Sequence, residues 1–406
     1  MHKIALFAAA IGLSAGLASA QQLRFDDVVR NLRHPDPKTR LGAVHLLRDA
    51  KYPEAISPIA ALVLDPIDDI QLEAIAAELG FFLEQDVKSK RMVGFVVEKR
   101  RSAIARGAFD LGPYAVWPRP VPAELVTALL QAVDDESDKV RLEAIYAVGV
   151  IARAPLTADQ IARLTKALDH YDPAVRAGAA RVIARLEIAE TGEALIKAVN
   201  DSQPEVRYAA IRALGAIGET RAIGALTEQL AFYKKGEGAW SALEALARIP
   251  APASVPLFRE RLQDKDPFIR RAAMEGIGRA GDAGSADTLE KAATSDEHAM
   301  VRLAAVFALQ KLGRNYAGRL VDSMSSAKVI AQAQEYLVEL GPAMTPTLVP
   351  RLQEPDPDVR EAIADVLGAI GGAAVVPALE AATKDRDPSV ASAAKRALYR
   401  LQPSAR

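Results

Sequence analysis

Residues 356–371, DPDVREAIADVLGAIG, recur in near-copies about every 31 residues, and this recurrence restricts the fold more than any other feature of the chain. Asp356 and Pro357 open a helix. An Asp carboxylate accepts hydrogen bonds from the orphan N–H groups of a first turn, and Pro is pre-set for the first helical position. Val359, Ile363, Val366, Leu367 and Ile370 follow at three- and four-residue intervals, on one face of a 3.6-period helix. Gly371, beside a second glycine, ends it. So short a helix cannot bury its apolar stripe alone. It needs a partner, visible upstream in residues 345–352, and then neighbouring copies of the pair.

With the Arg that follows Val as register mark, the units run Arg40, Gln71, Arg101, Arg141, Arg176, Arg207, Ala239, Arg270, Arg302, Ile330, Arg360 and Ala391. The Asp-Pro turn stands at Asp36, Asp172, Asp266, Asp356 and Asp387, and most intervals fall between 28 and 35 residues. The unit at Arg101 is the weakest, and the 40-residue step to Arg141 carries an insertion. These residues resemble HEAT repeats, and the short alanine-rich form DPxVRxxAxxALGxIG is similar to the phycobilin-lyase-type HEAT-like (armadillo-type) variety over roughly residues 24–402. The resemblance implies an all-α fold: a right-handed superhelical α-solenoid of about 11–12 HEAT-like helical hairpins, the second helix of each on the concave side. It also implies that the turn Asp and the register Arg hydrogen-bond within the repeat and to the next one, a structural ladder rather than a column of ligand contacts.

Uniform repeats favour one elongated domain over the two or three globular domains that 406 residues would otherwise suggest. His2 and Lys3, an apolar run over residues 4–17 and Ala18-Ser19-Ala20 read as a secretory signal peptide, residues 1–20, cleaved after Ala20. The expected mature chain, residues 21–406, is then periplasmic or secreted, without a membrane span, since the apolar run is shorter than the ~20 residues a span needs. There is no cysteine, hence neither a disulfide frame nor a thiolate metal site. With 51 basic and 52 acidic residues interspersed, the chain makes no case for nucleic acid as a partner.

Motifs that would carry chemistry sit in the wrong places. Gly276-Ile277-Gly278-Arg279-Ala280-Gly281 fits GxGxxG, but a dinucleotide site needs it between a strand and a helix N-terminus, and here it closes a repeat helix. Helix capping and close packing are the expected roles. Among the HEAT-like families, deoxyhypusine hydroxylases hold iron through His-Glu dipeptides. Here His2, His34, His45, His170 and His298 are followed by Lys, Pro, Leu, Tyr and Ala. No metal, cofactor or catalytic residue is expected, and an enzyme of the lyase or hydroxylase kind is the disfavoured alternative.

Positions one, five and nine past each register mark should trace an exposed stripe along the second helices. The fifth positions read His45, Ala76, Arg106, Tyr146, Arg181, Arg212, Glu244, Glu275, Phe307, Glu335, Asp365 and Arg396. Arg181, Arg185 and Arg212, with Tyr208 and Trp240 beside them, combine the residue types that dominate interface energetics, against the alternative that the aromatics fill a gap between repeats. The insertion, residues 113–122 (PYAVWPRPVP), is the second candidate. Its prolines favour extended backbone and it presents Tyr114, Trp117 and Arg119, unless Trp117 folds back over the weak unit. Residues 232–240, FYKKGEGAW, are a third departure, lacking both the Asp-Pro turn and the Arg. The function expected is an exported, non-catalytic protein-binding scaffold. A cell-envelope element binding glycan through Trp117 and Trp240 is a further alternative.

Overall fold

The structure, a computed structural model, describes residues 24–83 and 104–402. The expected leader, residues 1–20, and the register position Arg101 lie outside the described residues. Among the described residues the chain is helical except for connecting turns and one isolated bridge between Leu83 and Val116. Eleven helix pairs, from Phe25–Asn31 with Pro37–Ala50 to Val376–Ala382 with Pro388–Leu401, and one further second helix, Ile104–Asp110, follow in the expected phase. The fold is an α-solenoid. First helices are short, down to Thr345–Leu348, and many are entered through a 3-10 turn such as Ala189–Thr191 before Gly192–Ala198. Second helices reach the 15 residues of Asp68–Phe82.

Local sequence explains each unit. The side chains of Asp36, Asp172, Asp266, Asp356 and Asp387 all accept from the backbone N–H two residues on, with Pro at the first helical position. The register arginines tie unit to unit. Arg40, Arg176, Arg270 and Arg360 present Nε and Nη2 to both oxygens of Asp65, Asp201, Asp296 and Asp385, while Nη1 donates to two carbonyls of their own turn. The ladder has a different rung from the one expected. The acceptor in the next unit is an Asp two residues before the helix N-cap (Ile67, Gln203, His298 and Asp387), although Arg141 does reach a turn carboxylate, Asp172, at 3.0 Å. That earlier Asp is held in place because it also accepts from the N–H of the second residue after it, as Asp385 does from Asp387 at 2.8 Å. Such charge-assisted, two-pronged bonds fix orientation as well as distance.

One apolar layer runs without a break from Val28 to Ala397. Backbone approaches backbone most closely at glycines eight past the register mark. A Cβ on Gly215, Gly278 or Gly368 would stand 2.6, 2.6 or 2.7 Å from the Cα of Ala245, Ala308 or Ala397, each six past the mark in the next unit. Second helices therefore touch backbone to backbone. This accounts for the GxGxxG match: Gly276 lies under the Phe258 ring, Gly278 meets Ala308, and Gly281 turns the chain at φ +73° after Pro267–Arg279 ends. The match is a packing device.

Candidate functional site

The stripe expected to be exposed is so only in part: among its fifth positions Arg106, Arg212 and Glu335 are exposed, His45, Ala76, Arg181 and Glu244 half-buried, and the other five buried. Tyr146, Glu275, Phe307, Asp365 and Arg396 are all 6% exposed or less. The stack curves tightly enough for second helices two units apart to meet across its inner face, which nearest-neighbour reasoning from the sequence misses. The Tyr336 hydroxyl donates to Glu275, 61 residues earlier. Arg279 donates through Nε and Nη2 to Glu339 at 3.0 and 2.8 Å, and Arg248 stands 3.6 Å from Glu335, three units on. Phe307 stacks on Tyr336 at 4.1 Å between ring centres, with the Arg279 guanidinium over its outer side at 5.1 Å. Burial works against charge on Arg279, but Glu339 and Glu275 outweigh it and hold the group above its usual range. Burial, reinforced by Glu275, pushes the Tyr336 hydroxyl well above the ordinary tyrosine value.

In the middle of the stack the inner face is more open. Arg212 donates to Glu237 at 2.7 Å, yet the two side chains remain 46% and 52% exposed. Tyr208 is half-buried, its ring edge-on to Tyr233 at 5.4 Å. Trp240 is engaged within the stack: Nε1 donates to Asp266 at 2.6 Å and the indole lies on Phe268 at 4.4 Å. The unusual stretch 232–240 thus supplies aromatic rings that join units, while Phe232 itself is 71% exposed.

Arg181 and Arg185 turn the other way along the stack. Arg181 donates to the Tyr146 hydroxyl at 2.6 Å, and Arg185 skips a unit to donate to the Phe109 carbonyl at 2.7 Å with its guanidinium 3.4 Å from that ring centre. The five residues proposed as one patch therefore fall into two groups. The insertion is pinned: Val116 bridges Leu83, the Trp117 N–H donates to the Phe82 carbonyl at 2.7 Å, and the Arg119 N–H to the Trp117 carbonyl at 2.8 Å. Its proline-rich backbone folds back on the chain, and Tyr114, Trp117 and Arg119 are each half-buried.

Folding back brings the insertion to Arg185 and to the far end of the chain. Arg400 Nη2 donates to the carbonyls of Pro113 and Tyr114, both at 3.1 Å, and its guanidinium lies 5.6 Å from the Tyr114 ring centre. Between them opens a cavity of about 350 Å³ with Arg153, Arg185 and Arg400 on its walls. Arg153 Nη1 closes the end of helix Asp138–Ile151, donating to the carbonyls of Val150, Ile151 and Ala152 at 2.8–2.9 Å. The sequence does not flag Arg153, and Arg400, nine past Ala391, falls on the expected stripe with nothing to mark it as part of a site. One follows a helix in a connecting turn and the other ends the last helix, and only the pitch of the stack makes them neighbours.

Among the described residues no three or more His, Asp or Glu side chains are grouped so as to hold a metal, and no helix is long and apolar enough to cross a membrane. A family model for HEAT repeats matches residues 126–187, 161–231, 235–310 and 319–401, more than half of the chain. No curated protein matches it in sequence. An engineered protein of known structure aligns with 93% of this chain and 98% of its own at 20% identity and a TM-score of 0.41. Human deoxyhypusine hydroxylase, in complex with glycerol, aligns over 69% and 96% at 22% identity and a TM-score of 0.29. The complex of CpcE and CpcF of phycocyanin lyase from Nostoc sp. PCC7120 does so over 80% and 98% at 17% identity and a TM-score of 0.33.

Proposed function

Because the chain belongs to the HEAT-repeat family, we propose that it is an exported, non-catalytic scaffold that binds a protein partner on the open part of its inner face, around Tyr208 and Arg212. One observation carries the placement. The Arg212–Glu237 pair keeps about half of each side chain in solvent, beside a half-buried tyrosine, whereas the face further along is filled by contacts between units two apart. A paired Arg beside an aromatic side chain can exchange its exposed carboxylate for a partner's at small cost, since exposed ion pairs contribute only about 0–1 kcal/mol. Trp240, held by Asp266 and Phe268, serves the stack and supports this surface from beneath rather than contacting the partner. Export rests on the leader-like residues 1–20, and the absence of a catalytic role on the lack of any His-Glu pair in the sequence.

The test is affinity capture from the envelope fraction with residues 21–406, against a Tyr208→Ala/Arg212→Ala variant of equal helicity by circular dichroism. A protein recovered by the first and lost by the second is expected. Recovery of the same protein by both would refute the placement, and recovery by neither would count against a protein-binding role. N-terminal sequencing of the exported chain should begin at Gln21.

A further inference from the structure

The arginine-walled cavity calls for a ligand independently of any protein partner. Three guanidinium groups border about 350 Å³ of space whose other walls include Val116, Pro118, Val150 and Leu186. Each spends a terminal nitrogen on backbone carbonyls: Arg153 on the end of its own helix, Arg185 on Phe109, Arg400 on the insertion. The other terminal nitrogens of Arg185 and Arg400 are buried donors without a hydrogen-bond partner. Leaving such donors unmet is costly, and natural structures rarely do so without a ligand or water to receive them.

The charges around the cavity do not balance. The acidic groups near it are Glu187, which lines the mouth at a left-handed helix end (φ 51°), Asp110, whose charge acts on Arg185, and Asp365, 3.8 Å from Arg400 Nη1. Behind Asp365 stand Arg396, 3.5 Å away, and Glu361, whose charge also acts on Asp365, so this outer pair of opposite charges leaves the excess on the three wall arginines. Burial pushes Asp365 up to about 7, so near neutrality it is only partly charged. Burial pulls Arg153 and Arg185 down to about 10, and on Arg153 the charges of Arg400 and Arg185 add to the effect. All three arginines stay protonated at pH 7. Their crowding is the arrangement expected around a group that brings its own negative charge, because planar guanidinium forks match the oxygens of phosphate and carboxylate.

We propose that this cavity binds a small oxyanion, a phosphate- or carboxylate-bearing ligand, seated between Arg153, Arg185 and Arg400. Its oxygens meet the unsatisfied donors, and the apolar walls take whatever short carbon skeleton it carries. Since Arg400 stands on the last helix and the insertion on the fourth unit, a bound anion also locks these two parts of the stack together. The site lies apart from Tyr208 and Arg212, so it stands or falls separately from the scaffold reading.

Inorganic phosphate and succinate are the probes, titrated into residues 21–406 by calorimetry at constant ionic strength, with chloride as the matched salt. Saturable binding of at least one is expected, with slowed amide exchange at Val116 and in helix Pro388–Leu401. Arg153→Gln and Arg185→Gln should each weaken binding at least tenfold, while Arg212→Gln, outside the cavity, leaves it unchanged. Should the Gln variants lose helicity, Arg153→Lys keeps the charge without the fork and decides: weaker binding supports the site, unchanged binding refutes it. The proposal is overturned if neither probe binds up to about 10 mM, or if all variants bind as the natural chain does.

Discussion

Gly278→Ala and Gly42→Ala are chemically the same substitution, and the structure assigns them opposite signs. Ala is favoured over Gly inside a helix by about 0.5–1 kcal/mol, which is all that Gly42 would feel, because a Cβ there meets nothing within 4 Å. At Gly278 the new Cβ would stand 2.6 Å from the Cα and 2.9 Å from the Cβ of Ala308. Carbon atoms rest about 3.5–4.0 Å apart, so helices Pro267–Arg279 and Ala299–Lys311 would have to separate by about 1 Å. The obstructing atom is backbone and cannot rotate away. Overpacking of this kind costs about 1–3 kcal/mol, and the upper end less the propensity gain leaves a net loss of about 2 kcal/mol. Long repeat arrays need not unfold in two states, so the assay is amide exchange along the two helices rather than a single global midpoint. At exchange limited by local opening, about 2 kcal/mol is a roughly 30-fold acceleration in those helices. Gly42→Ala should slow exchange in Pro37–Ala50 instead. If Gly278→Ala left exchange unchanged or slower, the close approach would not be a constraint and the packing account of the GxGxxG match would fail.

Arg360→Ala should destabilise the last two units by about 2–4 kcal/mol, because it leaves the Asp385 carboxylate and the carbonyls of Glu354 and Pro355 without their donor; chemical denaturation followed by tryptic cleavage at the C-terminal end would read it. Glu78 is fully buried, its two carboxylate oxygens have no partner, and burial alone pushes its pKa well up. An acid raised in the folded state contributes stability below its unfolded value of about 4.5 and loses it as pH climbs toward the folded value. Glu78→Leu should therefore be more stable than the natural chain at pH 7, by a margin growing with about 1.4 kcal/mol per pH unit above pH 4.5, and a margin independent of pH would contradict this. Asp365, raised to about 7, adds loss of the same sign between about pH 4 and 7.

The parts of this molecule legible in its sequence are those set within one unit or between adjacent ones. The Asp caps, the prolines, the apolar stripes and the phase of the helices all follow from spacings of a few residues, and the structure has them where the spacing puts them. The register arginines were legible as structural, though not their acceptor: DPxVR draws the eye to the turn Asp, whereas Asp65, Asp201, Asp296 and Asp385, each two residues before the N-cap of the next second helix, receive them. What could not be read is whatever depends on the sum of small rotations along the stack. Glu275, Phe307 and Asp365 have the pattern of a solvent-facing stripe and become buried because inner-face side chains close over them, Tyr336 from two units on over Glu275 and from the next unit over Phe307, and Arg396 and Arg400 of the last helix over Asp365. Arg153, Arg185 and Arg400 likewise share a cavity although eight units separate Arg153, in the unit of Arg141, from Arg400, in the unit of Ala391.

Those long-range contacts change how the stack should come apart. In an ideal solenoid each unit touches only its neighbours, so stability is a sum of unit and interface contributions and unfolding can proceed unit by unit. Between Gly236–Arg248 and Ile330–Leu340 this chain departs from that rule: Arg248 reaches Glu335, Glu275 accepts from Tyr336, and Arg279 from one unit holds Glu339 two units on. Opening the unit at Ile330 takes the Tyr336 donor from Glu275 and the Glu339 acceptor from Arg279, leaving the two with each other at 3.3 Å, at a cost of about 1.5–3 kcal/mol for each charged hydrogen bond lost. The units between must therefore open together. Native-state amide exchange should find residues 236–340 behaving as one cooperative block, while helices Pro173–Leu186 and Pro204–Ala216 open separately from it. Tyr336→Phe, which removes the hydroxyl and keeps the ring stacked on Phe307, should split that block and raise exchange in Pro267–Arg279 and Ile330–Leu340 together. If only Ile330–Leu340 responded, the inner-face contacts would be incidental neighbours rather than the ties that make this segment rigid.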